Sequence, residues 1–173
     1  MGSQSTNSGS DSNWRGYSGS ESTDDVKNKV YKHYKNDLEE EIKKKKLNKE
    51  NPIDKIKIDE IEKNYESKHI IKLSKVYYYY KVIGSHRFIE LYLTCNCCSF
   101  SKYVRMDKTE DAKKNMVCFD NDFNEPGWWY WEYVPKRTDF KDCIKYFNKA
   151  DTGYHKLFNN CADFARYIWN RLD

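Results

Sequence analysis

Nothing near the N-terminus of this 173-residue chain has the apolar core of a secretory signal. Export is therefore not expected. A reducing, cytoplasmic setting follows, with attachment to a membrane surface as its one extension. No apolar run approaches the roughly 20 residues of a membrane-crossing helix, and no internal repeat is visible. Histidine is scarce, with four residues at 33, 69, 86 and 155, which narrows the search for a general base. Cysteine is plentiful, at 95, 97, 98, 118, 143 and 161, and free thiols are expected in a reducing compartment. The Cys95-x-Cys97-Cys98 cluster lacks the usual zinc-finger spacing, and no histidine or second cysteine pair stands near it in the sequence. A cysteine-rich hairpin turn is expected there, with no metal and no cofactor.

What is present divides the chain in three. Residues 1–25 are dominated by Ser, Gly, Asn and Thr and are expected to form a disordered tail. Residues 26–75 carry 15 Lys against 10 acidic residues, net +5, and read as a charged helical arm. Residues 76–173 hold most of the aromatics, which make up 16% of the chain, and read as one folded α+β domain. The start Met1-Gly2-Ser3-Gln4-Ser5-Thr6 fits a myristoylation pattern, with Gly2 as the lipidation site. One acyl chain binds membrane only marginally and needs a second signal. The run Lys43-Lys44-Lys45-Lys46 could supply it by attraction to an anionic surface. No nucleic-acid motif accompanies the charge, so no specific nucleic-acid partner is expected.

The element pattern is helices, then strands, then helices. A helix starts at Ser22-Thr23-Asp24-Asp25 and carries the stripe Val26, Val30, Tyr31, Tyr34, Leu38 and Ile42 into the lysine run. Asn51-Pro52 breaks it, and a second helical stretch covers Asp54 to about Lys68. Strands are predicted over 76–83, 87–93, 99–107, 116–119 and 128–134 from β-branched and aromatic residues. The last of these contains Trp128-Trp129-Tyr130-Trp131, expected in the core or lining a groove. Asp139 caps a helix with Phe140, Cys143, Ile144 and Phe147 inward. The fold expected is an antiparallel β-sheet packed against helices, α+β, with a helical N-terminal arm.

The last helix carries the most chemistry. Cys161, Phe164, Ala165, Ile168, Trp169 and Leu172 form one apolar face at a 3.6-residue period. Asn160 is a good N-cap, answered by Asp163. Cys161 then falls in the first turn, where the helix dipole favours thiolate over thiol. A nucleophilic cysteine needs a base. His33 and His69 read as surface residues of the arm, and His155 lies six residues before Cys161. His86 opens a strand directly after Gly84-Ser85, a position from which a ring can face a helix terminus. If the next hairpin turns at Asn96-Cys97, Ile89 faces Val104, Leu93 faces Phe100, and His86 faces Asp107. Asp107 would then orient His86 and favour its imidazolium.

Asn160-Cys161-Ala162-Asp163-Phe164, preceded by Tyr154 and Leu157, together with Gly84-Ser85-His86 followed by Phe88, Ile89 and Leu91, resembles the circularly permuted papain-like proteins. These include the lecithin:retinol acyltransferase-like, PPPDE and NlpC-type families. The resemblance covers roughly Val76 to Leu172. It implies a permuted papain-like fold and a cysteine-dependent acyl-transfer enzyme working through a thioester. Cys161 would be the nucleophile, His86 the base, and backbone N–H groups at the start of the helix capped by Asn160, that of Cys161 among them, the oxyanion donors. The acyltransferase branch carries a second histidine where this chain has Cys97-Cys98-Ser99. Asp107 would therefore stand in for it, or the site would work as a dyad, as in the PPPDE branch. The implied substrate is a lipid ester, as for an acyltransferase or phospholipase, or a protein amide or isopeptide bond. A membrane-associated interaction protein on the same fold, without catalysis, is the rival reading.

Overall fold

The computed structural model describes residues 20–83, 86–109, 113–153 and 160–172. In chain order they form α1 (Thr23–Tyr31), α2 (Lys35–Lys44), α3 (Pro52–Lys68), β1 (Ile71–Lys81), β2 (Arg87–Cys95), β3 (Ser101–Lys108), β4 (Lys114–Phe119), β5 (Trp128–Tyr133), α4 (Phe140–Lys149) and α5 (Cys161–Trp169). The strands make one antiparallel sheet in the order β4-β3-β2-β1-β5. The chain is therefore α+β, a five-stranded antiparallel sheet with helices, as the pattern predicted. No described helix is long and apolar enough to cross a membrane.

The helical arm departs from the single first helix expected. Ser22 caps α1 by accepting the Asp25 N–H at 3.1 Å, but the helix stops at Tyr31 and restarts at Lys35. The apolar stripe explains the break, because its two halves serve different surfaces. Val26 and Val30 enter the core beneath the sheet. Tyr34, Leu38 and Ile42 pack instead with Ile58 of α3 in a separate small cluster. Asn51 caps α3 at the Ile53 N–H, with Pro52 in the first helical position where its missing donor costs nothing. The lysine run closes α2, where cations complement the negative helix end. There Lys45 pairs with Glu41 at 2.8 Å. Strand β1 begins at Ile71, five residues before the expected start, so the arm leads into the sheet without a linker.

The two faces of the sheet are chemically different. Val76, Tyr78, Ile89, Leu91, Leu93, Val104 and Met106 point to the helix face. There they form one core with Val26, Val30, the α4 residues Phe140, Cys143, Ile144 and Phe147, and the α5 residues Phe164, Ala165 and Ile168. Full burial of each aliphatic or aromatic side chain contributes about 1.5–3 kcal/mol. The other face carries Tyr79, Phe88 and Phe123, flanked by Tyr77 and Trp128. It also holds a buried ion pair between Glu90 and Arg105, directly opposed across β2 and β3. Glu90 accepts the Phe123 N–H at 3.2 Å, and the Arg105 guanidinium lies 4.0 Å from the centre of the Phe119 ring. The pair thus pins the β4–β5 connection to the sheet.

Two strand expectations are corrected. The β2–β3 hairpin does not turn at Asn96-Cys97. Cys95 N donates to Phe100 O at 3.1 Å, closing a four-residue loop over residues 96–99. Ile89 therefore pairs with Met106 and Leu91 with Val104, two residues from the register predicted. The loop is drawn out because Asn96 is committed elsewhere: its Oδ1 accepts the Ile70 N–H and its N–H donates to Ile70 O. A two-residue shift leaves every side chain on its face. The aromatic strand β5 is an edge strand, and Trp129, Tyr130 and Trp131 are exposed rather than core.

Lys114 fixes the end of α4. Its ammonium donates to the carbonyls of Phe147, Asn148 and Ala150 at 2.9, 3.1 and 2.8 Å.

Removing one member of a buried ion pair leaves the other uncompensated, at a cost of about 3–5 kcal/mol. Arg105→Leu should therefore destabilise the chain by about that much in urea titration, and the double variant Glu90→Leu/Arg105→Leu should recover most of the loss. Equal loss in the single and double variants would show that packing, and not charge, holds this face.

Candidate active site

Cys161 is the first residue of α5, and its placement follows from the local sequence. Asn160 Oδ1 accepts the N–H groups of Ala162 and Asp163 at 2.9 and 3.1 Å, and Asp163 accepts the Asn160 N–H at 3.4 Å. This reciprocal capping box starts the helix at Cys161 and nowhere else. The apolar stripe behind it lies on β2 and β3 within the core. Cys161 is carried to the end of the sheet where β2 begins, buried to 5% exposure.

His86 immediately precedes β2. Its carbonyl accepts the Lys81 N–H at 3.3 Å, which extends the β1–β2 ladder by one pair and holds the residue against the sheet. The β2–β3 register pairs Ile89 with Met106, and continuing it by one residue sets Phe88 opposite Asp107, with His86 one diagonal step farther on the same face. The expected direct pairing is thus replaced by a diagonal one, yet His86 Nε2 and Asp107 Oδ2 lie 3.6 Å apart. That separation is an ionic contact slightly longer than an ideal hydrogen bond. The His86 ring meets Trp128 edge-on at 6.0 Å.

The electrostatics of the two partners agree. Burial acts to raise the Cys161 thiol, but a hydrogen bond and charge from His86 outweigh it, aided by the Arg87 and Ala162 backbone N–H groups; the net shift is downward. Burial acts to lower His86, but Asp107 and Cys161 both favour its cation, and it is pushed up to about 9. Both shifts favour the thiolate–imidazolium form, the one in which a cysteine attacks. Cys118 and Cys143 differ. Burial pushes Cys118 up to about 11 and drives Cys143 upward as well.

The structure thus brings Cys161, His86 and Asp107 together and makes Asn160 the helix cap. Gly2, Gly84, Ser85 and His155 lie outside the described residues. A cleft lined by Tyr31, Tyr34, His69, Ile71 and Phe140 lies at the junction of the arm and contains none of the three. The reading of His33 and His69 as surface residues, with no histidine near the cysteine turn, is corrected. Both rings are half-buried, and His69 lies against Cys95, Cys97 and Cys98. A signal for this was present in the Cys95-x-x-Cys98 spacing, which the adjacent Cys97 obscured.

No family model, no curated protein and no solved structure matches this chain.

At pH 7 an ordinary thiol is only a few per cent ionised, so Cys161 should alkylate about tenfold or more faster than Cys118 or Cys143. Peptide mapping after limited iodoacetamide treatment reads this directly. Because Cys161 is shifted down and His86 up, the advantage should persist as pH falls below the ordinary thiol range and disappear only in more acidic solution. His86→Ala should return Cys161 to slow, alkaline-dependent alkylation.

Proposed function

We propose that this chain is a cysteine-dependent acyl-transfer enzyme, with Cys161 as nucleophile, His86 as acid and base, and Asp107 orienting His86. The observation that carries the reading is the imidazole of His86 set between a carboxylate and a helix-opening thiol whose ionisation it favours. In this reading the Cys161 sulfur attacks the carbonyl carbon of an acyl donor. The oxyanion is met by backbone N–H groups at the start of α5, that of Cys161 among them. His86 gives its proton to the leaving oxygen or nitrogen as the carbonyl re-forms, leaving a thioester and a neutral ring. An acceptor, water or an alcohol or amine, then loses a proton to His86 and attacks the thioester. The thiolate departs and the ion pair is restored. Water makes the enzyme a hydrolase; another acceptor makes it a transferase.

The surroundings favour an apolar acyl group. Val82 and Ile83, between β1 and His86, are exposed, Ile83 to 85%, as is Trp129 beside the half-buried Trp128. These residues sit at the same end of the sheet as His86, because Lys81 pairs with Trp128 and Tyr80 with both Trp129 and Arg87. An apolar rim of this kind suits the acyl chain of a lipid ester. It also fits the likeness of the Asn160–Phe164 and Gly84–Leu91 segments to the acyltransferase-like branch of the permuted papain-like proteins.

Aryl esters of short and long fatty acids test the reading. The wild-type chain should show a burst of phenol release and an acyl adduct on Cys161 by intact mass, with long chains preferred. Cys161→Ala should abolish the adduct, and His86→Ala should slow turnover by about 10²–10⁴-fold. Asp107→Asn should slow it less and shift its pH profile. Ester turnover that survives Cys161→Ala would overturn the proposal. Turnover of a peptide amide in place of the esters would move it to protein substrates.

A further inference from the structure

The opposite end of β2 holds a second constellation, formed by side chains far apart in the sequence. Cys95 ends β2 and Cys98 lies in the loop to β3. His33 occupies the break between α1 and α2, and His69 follows α3. His69 Nδ1 lies 3.2 Å from His33 Nε2 and 3.7 Å from both the Cys95 and the Cys98 sulfurs. The ligand atoms of His33, His69, Cys95 and Cys98 all fall within 4.8 Å of one another. Cys97 is close too, with its sulfur 3.4 Å from His69 Nδ1 and 3.6 Å from the Cys95 sulfur.

Hydrogen bonding does not account for this convergence. An imidazole nitrogen has one proton or one lone pair, and so forms one good hydrogen bond. Here one nitrogen and three sulfurs surround another single nitrogen. A shared cation explains it. With zinc bonded to nitrogen at about 2.0–2.1 Å and to sulfur at about 2.3 Å, tetrahedral geometry spaces neighbouring ligand atoms about 3.3–3.8 Å apart. The three separations from His69 Nδ1, 3.2, 3.7 and 3.7 Å, lie in or next to that range, and the other pairs fall within 4.8 Å.

The rings are also held as ligands are. His33 Nδ1 lies 3.0 Å from the Val30 carbonyl, which places its proton on Nδ1 and turns the Nε2 lone pair to the cluster. His33 stacks on Phe100 with centroids 4.1 Å apart, and His69 lies parallel to Tyr65 with an interplanar angle of 4°. Two thiolates and two neutral imidazoles favour zinc over calcium or magnesium, and the two thiolates cancel its charge.

The geometry points to a structural zinc site formed by His33 Nε2, His69 Nδ1, Cys95 Sγ and Cys98 Sγ, which fastens the helical arm to the sheet. Four protein ligands leave no open position, so the role is structural and not catalytic. Binding releases the two thiol protons to solvent. The site does not depend on the Cys161 chemistry. From His86 to Cys95 is nine residues of extended strand, about 30 Å at ~3.3 Å per residue. What the ion adds is attachment. The α2–α3 pair has its own small apolar cluster, separate from the sheet core, and the ligands join its two ends to the β2–β3 loop.

The experiment uses the full chain, purified under reducing conditions after expression with zinc. Plasma mass spectrometry should find about one zinc per chain. Cobalt exchanged into the site should give the intense visible bands of a tetrahedral ion with thiolate charge transfer. His69→Ala and Cys98→Ser should weaken zinc by more than about 100-fold, the upper end of what losing a mere supporting group costs. Cys97→Ser and Cys118→Ser should leave it unchanged. Chelation of the wild-type chain gives a readout that needs no variant: amide exchange should accelerate in α2 and α3 but not in the centre of β2. Substoichiometric zinc, an octahedral cobalt spectrum, or unchanged exchange on chelation would overturn the proposal. Zinc binding lost with Cys97→Ser but kept with Cys98→Ser would overturn the ligand assignment.

Discussion

The docking of α5 on β2 and β3 is the constraint on which the candidate site depends. The apolar stripe Phe164, Ala165 and Ile168 can bury itself only on the helix face of the sheet, and the capping box fixes where that helix begins. Together they leave one position for the first residue of the helix, at the start of β2. His86 is fixed independently, by the ladder bond between its carbonyl and Lys81. Thiol and imidazole meet because two separately determined backbones end at the same edge. Neither side chain has to be held by a flexible loop of its own.

The sheet keeps its two ends distinct. At one end the strands run into Cys161, His86 and Asp107, with lysines securing the backbone around them. Lys108 donates to the Asp151 carbonyl at 2.8 Å and Lys114 closes α4. At the other end the β2–β3 loop, drawn out by the Asn96–Ile70 bonds, carries its sulfurs to the two histidines of the arm. The same loop that displaced the register by two residues also brought Cys95 and Cys98 within reach of His69. A tight two-residue turn would have shortened the loop and removed that contact.

What was legible in the sequence was local. The cap at Asn160, the inward face of α4 and the cysteine at a helix start are written within a few residues of one another, and each followed from spacing alone. The nearness of His86 and Asp107 survived a wrong register because a slip of two residues preserves the face. The pairing of His33 and His69 was not legible, since 36 residues separate them and their meeting depends on how α3 folds back. The break in the first helix was hidden for a related reason: one continuous stripe served two cores, and only the tertiary arrangement divides it. The aromatic strand misled because its composition fits an interior strand equally well, while its place at the sheet edge was set by the order of the other four.

A thiolate–imidazolium pair is costly to bury, and the surroundings of Cys161 and His86 act to offset that cost. Desolvation opposes both charges, and it is the largest single influence on each. A cation set between two anions is stabilised by both, so Asp107 and Cys161 together offset the desolvation of His86 and favour its imidazolium form. The sulfur is stabilised in turn by the Arg87 and Ala162 N–H groups, which are fixed backbone dipoles and need no reorganisation when charge appears or leaves. Alternation along β3 keeps the arrangement from cancelling itself. Asp107 faces His86, while Lys108 turns to the other side and gives its charge to a carbonyl there. Had the two residues been exchanged, a cation would face His86 and oppose its protonation, and the thiol would lose the charge that favours its ionisation. The order Asp107-Lys108 at the end of β3 therefore supports the candidate chemistry by keeping the carboxylate, and not the ammonium, on the His86 side.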